Sequence, residues 1–443
     1  MTRVLALDLG TSSVRAQVYD DDAETCGGAE PRPYEPKQGL VDAGLLLEAA
    51  RSAIDESLRG FGPVEAIGCS AFWHSLLVLD ERDRPLTPVL TWRDMRSAPY
   101  ARELRERLDD RALHARTGCF LHPSYWPAKL AWLRAEEPGT FRRARRFVSF
   151  PDYLLLRLTG ELGTSLSQAS ATGLYGRGSW DDELLELLGV EPERLAPVSD
   201  EQVGNWFPPL GDGACSNVGA GCVTPDRAAL MVGTSGALRV VRPYEESTPR
   251  PGLFRYRLDE GRMVEGGSLS DGGNLYSWLE RTLRLPEDAH VSEREPDAHG
   301  LTFLPLLGGE RSPGWHADAK GVIAGLTFDT EPIDLLQAAL EGVAYRFAGI
   351  LELMPAVQEL VATGAALAAN HDWTQILADV LGRPVARGVA EGSSRGAAVL
   401  TLERLGVSPP GAPVGDAFNP RLDRTEAYRV ARARQRSLYE GVT

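Results

Sequence analysis

The sequence contains two similar segments, each of which combines an apolar strand, a Gly-Thr-Ser turn and a second strand. They cover residues 4–18 and 229–241, and their turns begin at Gly10 and Gly233. Glycine gives a tight hairpin the backbone freedom that a turn with exposed amides requires. The two turns are separated by about half of the 443-residue chain. This spacing predicts two similar domains, each of which opens with the same hairpin.

A Gly-Thr-Ser turn directs backbone N–H groups and two hydroxyls to one side of the chain. Such an array of donors holds an anion without a lysine. A single turn of this kind is more often an ordinary hairpin, whereas two copies at half-chain spacing favour anion binding. Asp8 lies just before the first turn. Its carboxylate either caps that turn or, beside phosphates, holds Mg²⁺, which prefers carboxylate and phosphate oxygens.

Strands and helices alternate in both halves of the chain. Short apolar runs predict strands at 66–70, 76–80 and 360–363. Helical periodicity is present at 99–108, 128–135 and 373–381. The clearest helix covers 334–354, where apolar residues recur every three or four positions and Asp334 suits the N-cap. The polar stretch at 286–299 predicts a surface loop. Mixed strands and helices indicate α/β domains.

The composition excludes two common ways of binding a nucleotide. The chain has three lysines, Lys37, Lys129 and Lys320, and none of them lies in a Gly-Lys-Ser or Gly-Lys-Thr sequence. A P-loop and the lysine motif of protein kinases both need a placed lysine, so both are excluded. The net charge of −15 argues against nucleic acid as a partner, because a phosphate backbone requires a basic face.

The cysteines and the apolar runs bear on the compartment. The five cysteines are scattered without a CxxC pair, which is typical of reduced thiols. The apolar N-terminal run is interrupted by Asp8 and has no cleavage site after it. No apolar run reaches the ~18 residues that a membrane span requires. We therefore expect a cytoplasmic protein without a membrane partner.

Further motifs follow the first hairpin in a fixed order. They are Ser70-Ala-Phe-Trp-His-Ser75, Thr91-Trp-Arg-Asp-Met-Arg96, Lys129-Leu-Ala-Trp-Leu133, Ser170-Ala-Thr-Gly-Leu174, Gly308-Gly-Glu-Arg-Ser-Pro-Gly-Trp315 and Gly321-Val-Ile-Ala-Gly-Leu326 with Asp334-Leu-Leu-Gln-Ala-Ala-Leu-Glu341. Together with the two turns, this collinear set resembles the FGGY carbohydrate kinases, which share their ATPase fold with actin, hexokinase and the 70-kDa heat-shock proteins. Within that family, the run from Gly233 to Arg239 and the Leu121-His122-Pro123 sequence are most similar to gluconate kinases.

This resemblance implies an α/β protein of two ribonuclease-H-like domains, of the actin/hexokinase ATPase type, with an interdomain cleft. The N-terminal domain, residues 1–222, would bind the sugar, and the C-terminal domain, residues 223–443, would bind ATP. The implied reaction transfers the γ-phosphoryl group of ATP to a hydroxyl of a small sugar, sugar acid or polyol. The oligomeric state is left open, with a homodimer as the candidate.

The resemblance also assigns site residues. Asp212 matches the catalytic base of the family, which accepts the proton of the attacking hydroxyl, and with Asp8 it is an expected Mg²⁺ ligand. The expected substrate contacts are Trp73, His74, Arg93, Asp94, Asp212 and Gly213. The expected ATP contacts are Asp8, Gly10, Thr11, Ser12, Ser13, Arg15, Gly233, Thr234, Ser235, Gly364, Ala365 and Asn370.

Two arginines bear on the choice of substrate. Arg93 and Arg96 offer bidentate guanidinium groups, which suit a carboxylate. A surface salt bridge explains them equally well. We expect a sugar acid such as gluconate as the first substrate, with a ketopentose such as xylulose, or another polyol, as the alternative.

Two departures from the family pattern keep another class of function open. Ala365 stands where the adenosine-binding loop of the family has a second glycine. The stretch between Pro197 and Gly211 and the C-terminal end are shorter than in the family. A non-catalytic sugar or nucleotide sensor is therefore an alternative, although the presence of both carboxylates, Asp8 and Asp212, speaks against it. An actin-like or chaperone-like ATPase does not explain the motifs at 70–74 and 92–96.

Overall fold

The computed structural model describes residues 2–286 and 289–443. In the first half of the chain the strands are β1 Val4–Leu9, β2 Ser13–Tyr19, β3 Thr25–Gly28, β4 Arg32–Pro33, β5 Leu40–Val41, β6 Ala66–Ala71, β7 Leu77–Leu79, β8 Val89–Leu90, β9 Arg146–Val148, β10 Tyr175–Gly176, β11 Ser179–Trp180 and β12 Leu210–Gly211. The helices of this half are α1 Ala43–Phe61, α2 Ala98–Arg107, α3 Asp110–Thr117, α4 Trp126–Glu136, α5 Pro138–Arg143, α6 Phe150–Thr159, α7 Leu166–Ser170, α8 Asp182–Leu188 and α9 Asp212–Gly219.

The second half has the same mixture of elements. Its strands are β13 Arg227–Val232, β14 Gly236–Pro243, β15 Phe254–Arg257, β16 Arg262–Leu269, β17 Thr302–Leu304, β18 Val322–Ala324, β19 Glu359–Thr363, β20 Val385–Arg387 and β21 Ala417–Phe418. Its helices are α10 Gly273–Thr282, α11 Pro332–Glu352, α12 Ala365–Ala369, α13 His371–Leu381, α14 Gly392–Arg404 and α15 Thr425–Val442. Within the described ranges, no helix combines the length and the apolar character needed to cross a bilayer.

The two large sheets share one topology. The first has the order β12-β6-β1-β2-β3, with β1 antiparallel to β2 and parallel to β6. In the second, which has the order β15-β16-β14-β13-β19-β20-β21, β13 is antiparallel to β14 and parallel to β19. Each hairpin therefore lies in the middle of its sheet, and the repeat predicted from the two turns is present in the strand order.

The first strands of both hairpins are suited to these central positions. All of β1 is buried, as is most of β13. A nearly continuous apolar run is typical of a strand that is covered on both faces. Consequently the turn that follows each strand projects from the same edge of its sheet, beside the end of the neighbouring parallel strand.

Most predicted elements are confirmed within a few residues, and α11 shows why one boundary differs. The helix begins at Pro332 and its N-cap is Glu331. Proline is favoured in the first turn because its missing N–H has no partner there in any helix. Asp334 is therefore not the N-cap but the third helical residue, where its carboxylate accepts a hydrogen bond from the Glu331 N–H at 3.0 Å.

The polar stretch at 286–299 is only partly a surface loop. Glu287 and Asp288 lie outside the described residues. The described part forms neither helix nor strand, but Val291 is buried and so is the side chain of His299. The Nδ1 atom of His299 accepts the Leu301 N–H at 2.9 Å, so Nε2 carries the proton and faces the Glu341 carboxylate of α11 at 3.1 Å. The described part is a loop, as predicted, and this buried pair fastens its end to α11.

Helix α14 belongs to the second half of the sequence but packs on the first sheet. It contacts β1, β6 and α9, and its buried alanines share one apolar cluster with Val4 and Ala214. Glycines permit the close crossing of the two helices, since a β-carbon on Gly396 would overlap the Cys215 carbonyl and one on Gly219 would overlap the Gly392 carbonyl. Packing therefore crosses the sequence boundary at 222/223.

Candidate active site

A cavity of about 910 Å³ is lined by residues from both halves of the chain. It brings together the two Gly-Thr-Ser turns, the buried carboxylate of Asp8 and the partly buried carboxylate of Asp212. The predicted site residues in its wall are Asp8, Gly10, Thr11, Ser12, Ser13, Arg15, Trp73, His74, Asp212, Gly213, Gly233, Thr234, Ser235, Gly364 and Ala365. Three other predicted residues, Arg93, Asp94 and Asn370, are not part of this wall.

The two turns present unpaired amides to the cavity. The first N–H of each turn closes the hairpin: Gly10 donates to the Ser13 carbonyl and Gly233 to the Ser235 carbonyl, both at 3.0 Å. Among the described residues no acceptor is found for four further N–H groups, which belong to Thr11, Ser12, Thr234 and Ser235. These donors form the concave array that fits phosphate oxygens.

A third loop presses against the second turn. Gly364, at φ 91°, follows β19, and a β-carbon there would overlap the Val232 carbonyl oxygen. Only glycine combines this positive φ with so close an approach. The next residue, Ala365, begins α12 and is exposed on the cavity wall. Its methyl group therefore occupies space where the family pattern has a hydrogen atom.

Asp8 is a buried carboxylate at the end of β1. One of its oxygens accepts the Ser70 hydroxyl at 2.9 Å, and the other lies 3.6 Å from a guanidinium nitrogen of Arg15. Burial raises the pKa of Asp8 to about 6, with the nearby charge of Asp212 adding to the increase. Since like charges repel, a cation between these two carboxylates would be stabilised.

Asp212 begins α9 directly after β12, between two glycines. A β-carbon on Gly211 would overlap the Trp73 ring, and one on Gly213 would overlap both that ring and the Arg239 guanidinium. The Gly-Asp-Gly sequence is thus required by close packing on either side of the carboxylate. The Asp212 carboxylate accepts the Gly213 N–H at 2.8 Å, and burial raises its pKa while Arg239 opposes the increase.

Trp73 and His74 form an aromatic wall of the cavity. The Trp73 indole donates to the Ser167 carbonyl at 3.1 Å, which fixes the ring. The Nδ1–H of His74 donates to the Ala171 carbonyl at 2.7 Å, and burial lowers the pKa of His74 to about 3. The ring is therefore neutral at physiological pH, and its Nε2 atom is an acceptor that suits a substrate hydroxyl.

Lys129 supports this wall from behind. His74 has a φ of 68°, which is unusual for a side chain of this size. The buried Lys129 ammonium donates to the His74 carbonyl at 2.6 Å. Burial lowers the pKa of Lys129 to about 7. The Lys-Leu-Ala-Trp-Leu motif contributed to the family resemblance, but nothing in its sequence indicates contact with residue 74.

Asp94 and its neighbouring arginines are already paired outside the cavity. The buried Asp94 carboxylate receives two hydrogen bonds from the Arg96 guanidinium, at 2.8 and 2.9 Å. The same guanidinium lies 4.2 Å from the centre of the Trp132 ring. Arg93 is exposed beside Trp92. This differs from the expectation from the sequence: Arg93 and Asp94 do not line the cavity, and Arg96 forms a salt bridge with Asp94.

Asn370, a predicted ATP contact, lies outside the cavity wall and caps a helix instead. It is the N-cap of α13, and its side-chain oxygen accepts the Trp373 N–H at 2.9 Å. Asparagine is a favoured N-cap because it satisfies an otherwise unpaired helical donor. The cavity wall instead contains the neighbouring residues Leu367, Ala368, Ala369, His371 and Thr374.

Family models match both halves of the chain. The model for the N-terminal domain of the FGGY family of carbohydrate kinases covers residues 3–214, and the model for its C-terminal domain covers residues 228–402. The chain belongs to the FGGY family of carbohydrate kinases. It is therefore a kinase that phosphorylates a sugar or polyol, as the turns and carboxylates of the cavity indicate.

Similar proteins extend over almost the whole of this FGGY kinase. The gluconokinase of Bacillus subtilis is 28% identical over 458 residues, which cover 91% of this chain and 88% of that one. The glycerol kinase of Thermus brockianus is 33% identical, covering 100% of this chain and 97% of its own. The solved structure of a gluconate kinase from Lactobacillus acidophilus has a TM-score of 0.89 at 24% identity, covering 99% and 98% of the two chains. This last likeness confirms the predicted two-domain α/β fold.

Several residues that line the cavity of this FGGY kinase are not predicted from the sequence, and three of them carry large polar or aromatic side chains next to the substrate-side residues. Trp92, Arg239 and Arg311 line the same wall as Trp73 and His74. All three belong to motifs that supported the family resemblance. Their convergence depends on the packing of distant segments, which is not visible in any single motif.

Proposed function

We propose that this kinase phosphorylates a small sugar acid of the gluconate type, with xylulose or another polyol as the alternative substrate. Asp212 acts as the general base. The observation that carries the proposal is the position of the Asp212 carboxylate in one cavity with both phosphate-type turns and with the aromatic wall of Trp73 and His74.

The residues of the cavity fit ATP and Mg²⁺. The unpaired amides of the two turns provide donors for phosphate oxygens, and Gly364 with Ala365 provides a wall for the nucleoside. Asp8 and Asp212 would hold the metal ion, since two nearby carboxylates and phosphate oxygens are its preferred ligands. When bound, Mg²⁺ reduces the negative charge that opposes attack on the phosphoryl group.

Asp212 takes the proton of the attacking substrate hydroxyl as the new O–P bond forms, while the bond between the γ-phosphorus and the β,γ-bridging oxygen breaks and ADP leaves. Burial raises the pKa of this carboxyl and so increases its basicity, while Arg239 favours its ionised form. The neutral His74 ring accepts a hydrogen bond from a substrate hydroxyl and orients the sugar. Closure of the two domains would exclude water, which otherwise competes as the acceptor of the phosphoryl group.

The proposal assigns sugar binding to one half of the chain and ATP binding to the other. Residues 1–222 contribute Trp73, His74 and Asp212 to the sugar side, and residues 223–443 contribute the second turn and Gly364 to the ATP side.

A cytoplasmic location suits the five cysteines, all of which are unpaired. A homodimer without nucleic-acid or membrane partners completes the proposal, and light scattering of the purified protein tests the dimer.

An ADP-release assay with aldonic acids, ketoses and polyols tests the activity. We expect substrate-dependent turnover, highest in kcat/KM for gluconate. Asp212→Asn should reduce kcat by about 10²- to 10⁴-fold because the base is lost. The exposed Asp226→Asn is the matched control and should retain turnover. ATP binding without turnover of any panel member would favour the sensor, and xylulose above gluconate would refute the sugar-acid preference alone.

A further inference from the structure

Two guanidinium groups of the cavity wall, those of Arg239 and Arg311, combine the lack of a carboxylate partner with a buried, unpaired Nε atom within the described residues. Arg239 is 5% exposed, and its Nε atom has no acceptor among the described residues. The Nε atom of Arg311 is likewise unpaired there, and its guanidinium donates a hydrogen bond to the Leu269 carbonyl. Both residues line the cavity. Buried donors are almost always satisfied in native proteins, and because these two lie in the cavity wall, a bound ligand can supply the missing acceptor.

The electrostatic surroundings point to an anion. Burial lowers the pKa of Arg311 to about 10, and the positive charge of Arg239 contributes to that decrease. Burial lowers the pKa of Arg239 as well. Two neighbouring cations withdrawn from water repel each other and are costly without a counter-ion. An anion that reaches both groups would remove this cost.

Within the described residues, the nearby acids form no direct ion pair with either guanidinium group. Asp212 influences Arg239 through space but forms no ion pair with it among the described residues. Asp271 lies on the other side, near Arg311, and burial raises its pKa to about 7. This carboxyl is therefore partly protonated at neutral pH. The hydroxyls of Tyr125 and Tyr256 also lie near Arg311, and they are hydrogen-bonded to each other at 2.6 Å.

The two arginines lie with the aromatic residues of the cavity. The Arg311 guanidinium is 4.7 Å from the centre of the Trp92 ring. The Arg239 guanidinium lies so close to Gly213 and Trp73 that a β-carbon on Gly213 would overlap both. The phosphate oxygens already have donors in the amides of the turns. The anion that suits Arg239 and Arg311 is therefore part of the sugar.

We propose that Arg239 and Arg311 form a carboxylate subsite, so that the substrate is an aldonic acid whose carboxylate is bound by both guanidinium groups while one of its hydroxyls faces Asp212. A guanidinium binds a carboxylate through two parallel hydrogen bonds, which gives orientation as well as affinity. This inference rests on the proposed function and names the substrate class of the same site. It transfers the carboxylate-binding role from Arg93 and Arg96 to residues inside the cavity.

A matched pair of substrates tests the subsite. Gluconate and glucitol differ in the group that the arginines would bind, a carboxylate against a hydroxymethyl. The wild-type protein should prefer gluconate in kcat/KM. Arg239→Gln and Arg311→Gln should each lower kcat/KM for gluconate by on the order of 10- to 100-fold, mainly through KM, because a charge-assisted pair is lost. The ratio of gluconate to glucitol should fall accordingly, and Arg311→Lys should recover part of it.

Arg93→Gln is the control, since this exposed arginine lies outside the cavity wall and should leave the ratio unchanged. Thermal unfolding separates binding from structure: removal of an unpaired buried charge should preserve or raise Tm, whereas a structural arginine would lower it. An equal loss for gluconate and glucitol in the cavity variants would assign the arginines to the phosphoryl group and overturn the proposal. The proposal would also be overturned if the ratio of gluconate to glucitol fell in Arg93→Gln but not in the two cavity variants.

Calorimetric titration of gluconate without ATP distinguishes the two proposals. If gluconate binds the wild-type protein and loses affinity in both arginine variants, but no substrate is phosphorylated, the subsite stands and the proposed function fails. If neutral sugars are phosphorylated in an Asp212-dependent reaction while gluconate neither binds nor reacts, the proposed activity stands and the carboxylate subsite is refuted.

Discussion

The two hairpins of this kinase occupy equivalent places in their sheets but differ in their turn closure and in their flanking side chains. Two residues before the turn, the first hairpin has Asp8 and the second has Met231, and both line the cavity. Six residues after the first glycine of each turn, the first hairpin has the buried Ala16 and the second has Arg239. Both turns supply amide donors, whereas the charged side chains beside them differ: the first hairpin has the Asp8 carboxylate next to Arg15, and the second has Arg239.

The largest expected effect separates Asp8 from its counterpart. Asp8→Asn should lower kcat by about 10²- to 10³-fold, since a carboxylate that would hold the metal ion is lost where charge develops. Met231→Leu keeps the volume and the apolar character and should change kcat less than about twofold. Steady-state assays over a range of Mg²⁺ concentrations measure both. Equal losses in the two variants would show that the hairpins are not specialised.

Asp8→Asn, which should lower kcat, should at the same time increase the stability of the fold. The pKa of Asp8 is raised to about 6 from 3.8, so the folded state binds the proton more tightly than the unfolded state. The ionised form above pH 6 therefore destabilises the fold, and stability falls as pH rises through this range. Without nucleotide or Mg²⁺, Asp8→Asn should raise the free energy of unfolding at pH 8 by up to about 3 kcal/mol. The gain should decrease towards pH 4, and a constant gain would contradict this origin.

The second turn depends on close packing against the loop that contains Gly364, and a side chain at that position should destabilise it. Gly364→Ala introduces a side chain at φ 91° against the Val232 carbonyl. We expect a loss of about 1–3 kcal/mol in stability and an increased KM for ATP. Gly233→Ala is the control within the turn, because its β-carbon would meet its nearest neighbour, the Met231 sulfur, at 3.6 Å. Denaturant unfolding and ATP titration measure the two effects, and an unchanged Gly364→Ala protein would contradict the packing argument.

The smallest effect concerns how each turn is anchored. The Tyr34 hydroxyl donates to the Gly10 carbonyl, whereas the Gly233 carbonyl accepts the backbone N–H of Gly273 at 2.8 Å. Tyr34→Phe should therefore loosen only the first turn, at about 0.5–1.5 kcal/mol, with a few-fold increase in KM for ATP. Tyr100→Phe, on the exposed side of α2, is the control. An unchanged KM in Tyr34→Phe would mean that the first turn is held by its own hairpin.

Much of the fold could be predicted because it depends on local patterns. The apolar periodicity of α11 is visible in the sequence, but its start differs from the prediction because Asp334, which suits an N-cap, occupies the third helical position instead. The site divides in the same way. Asp8 and the turns belong to one motif each, so spacing predicts them. Lys129 reaches the His74 carbonyl from a segment far along the chain, and no local pattern encodes that contact.

The arginines show most clearly what the sequence determines and what the tertiary structure determines. The sequence by itself determined the two hairpins, the family and the carboxylates at the turns, because glycine, apolar residues and short spacings act within a few positions. It could not determine which arginine is free to bind an anion. Arg96 forms a salt bridge with Asp94, two residues away in the sequence, whereas the buried Arg239 has no hydrogen-bond acceptor for its Nε atom among the described residues. Only the tertiary structure decided this, since the charge available to a ligand depends on burial and on which distant groups come within hydrogen-bonding distance.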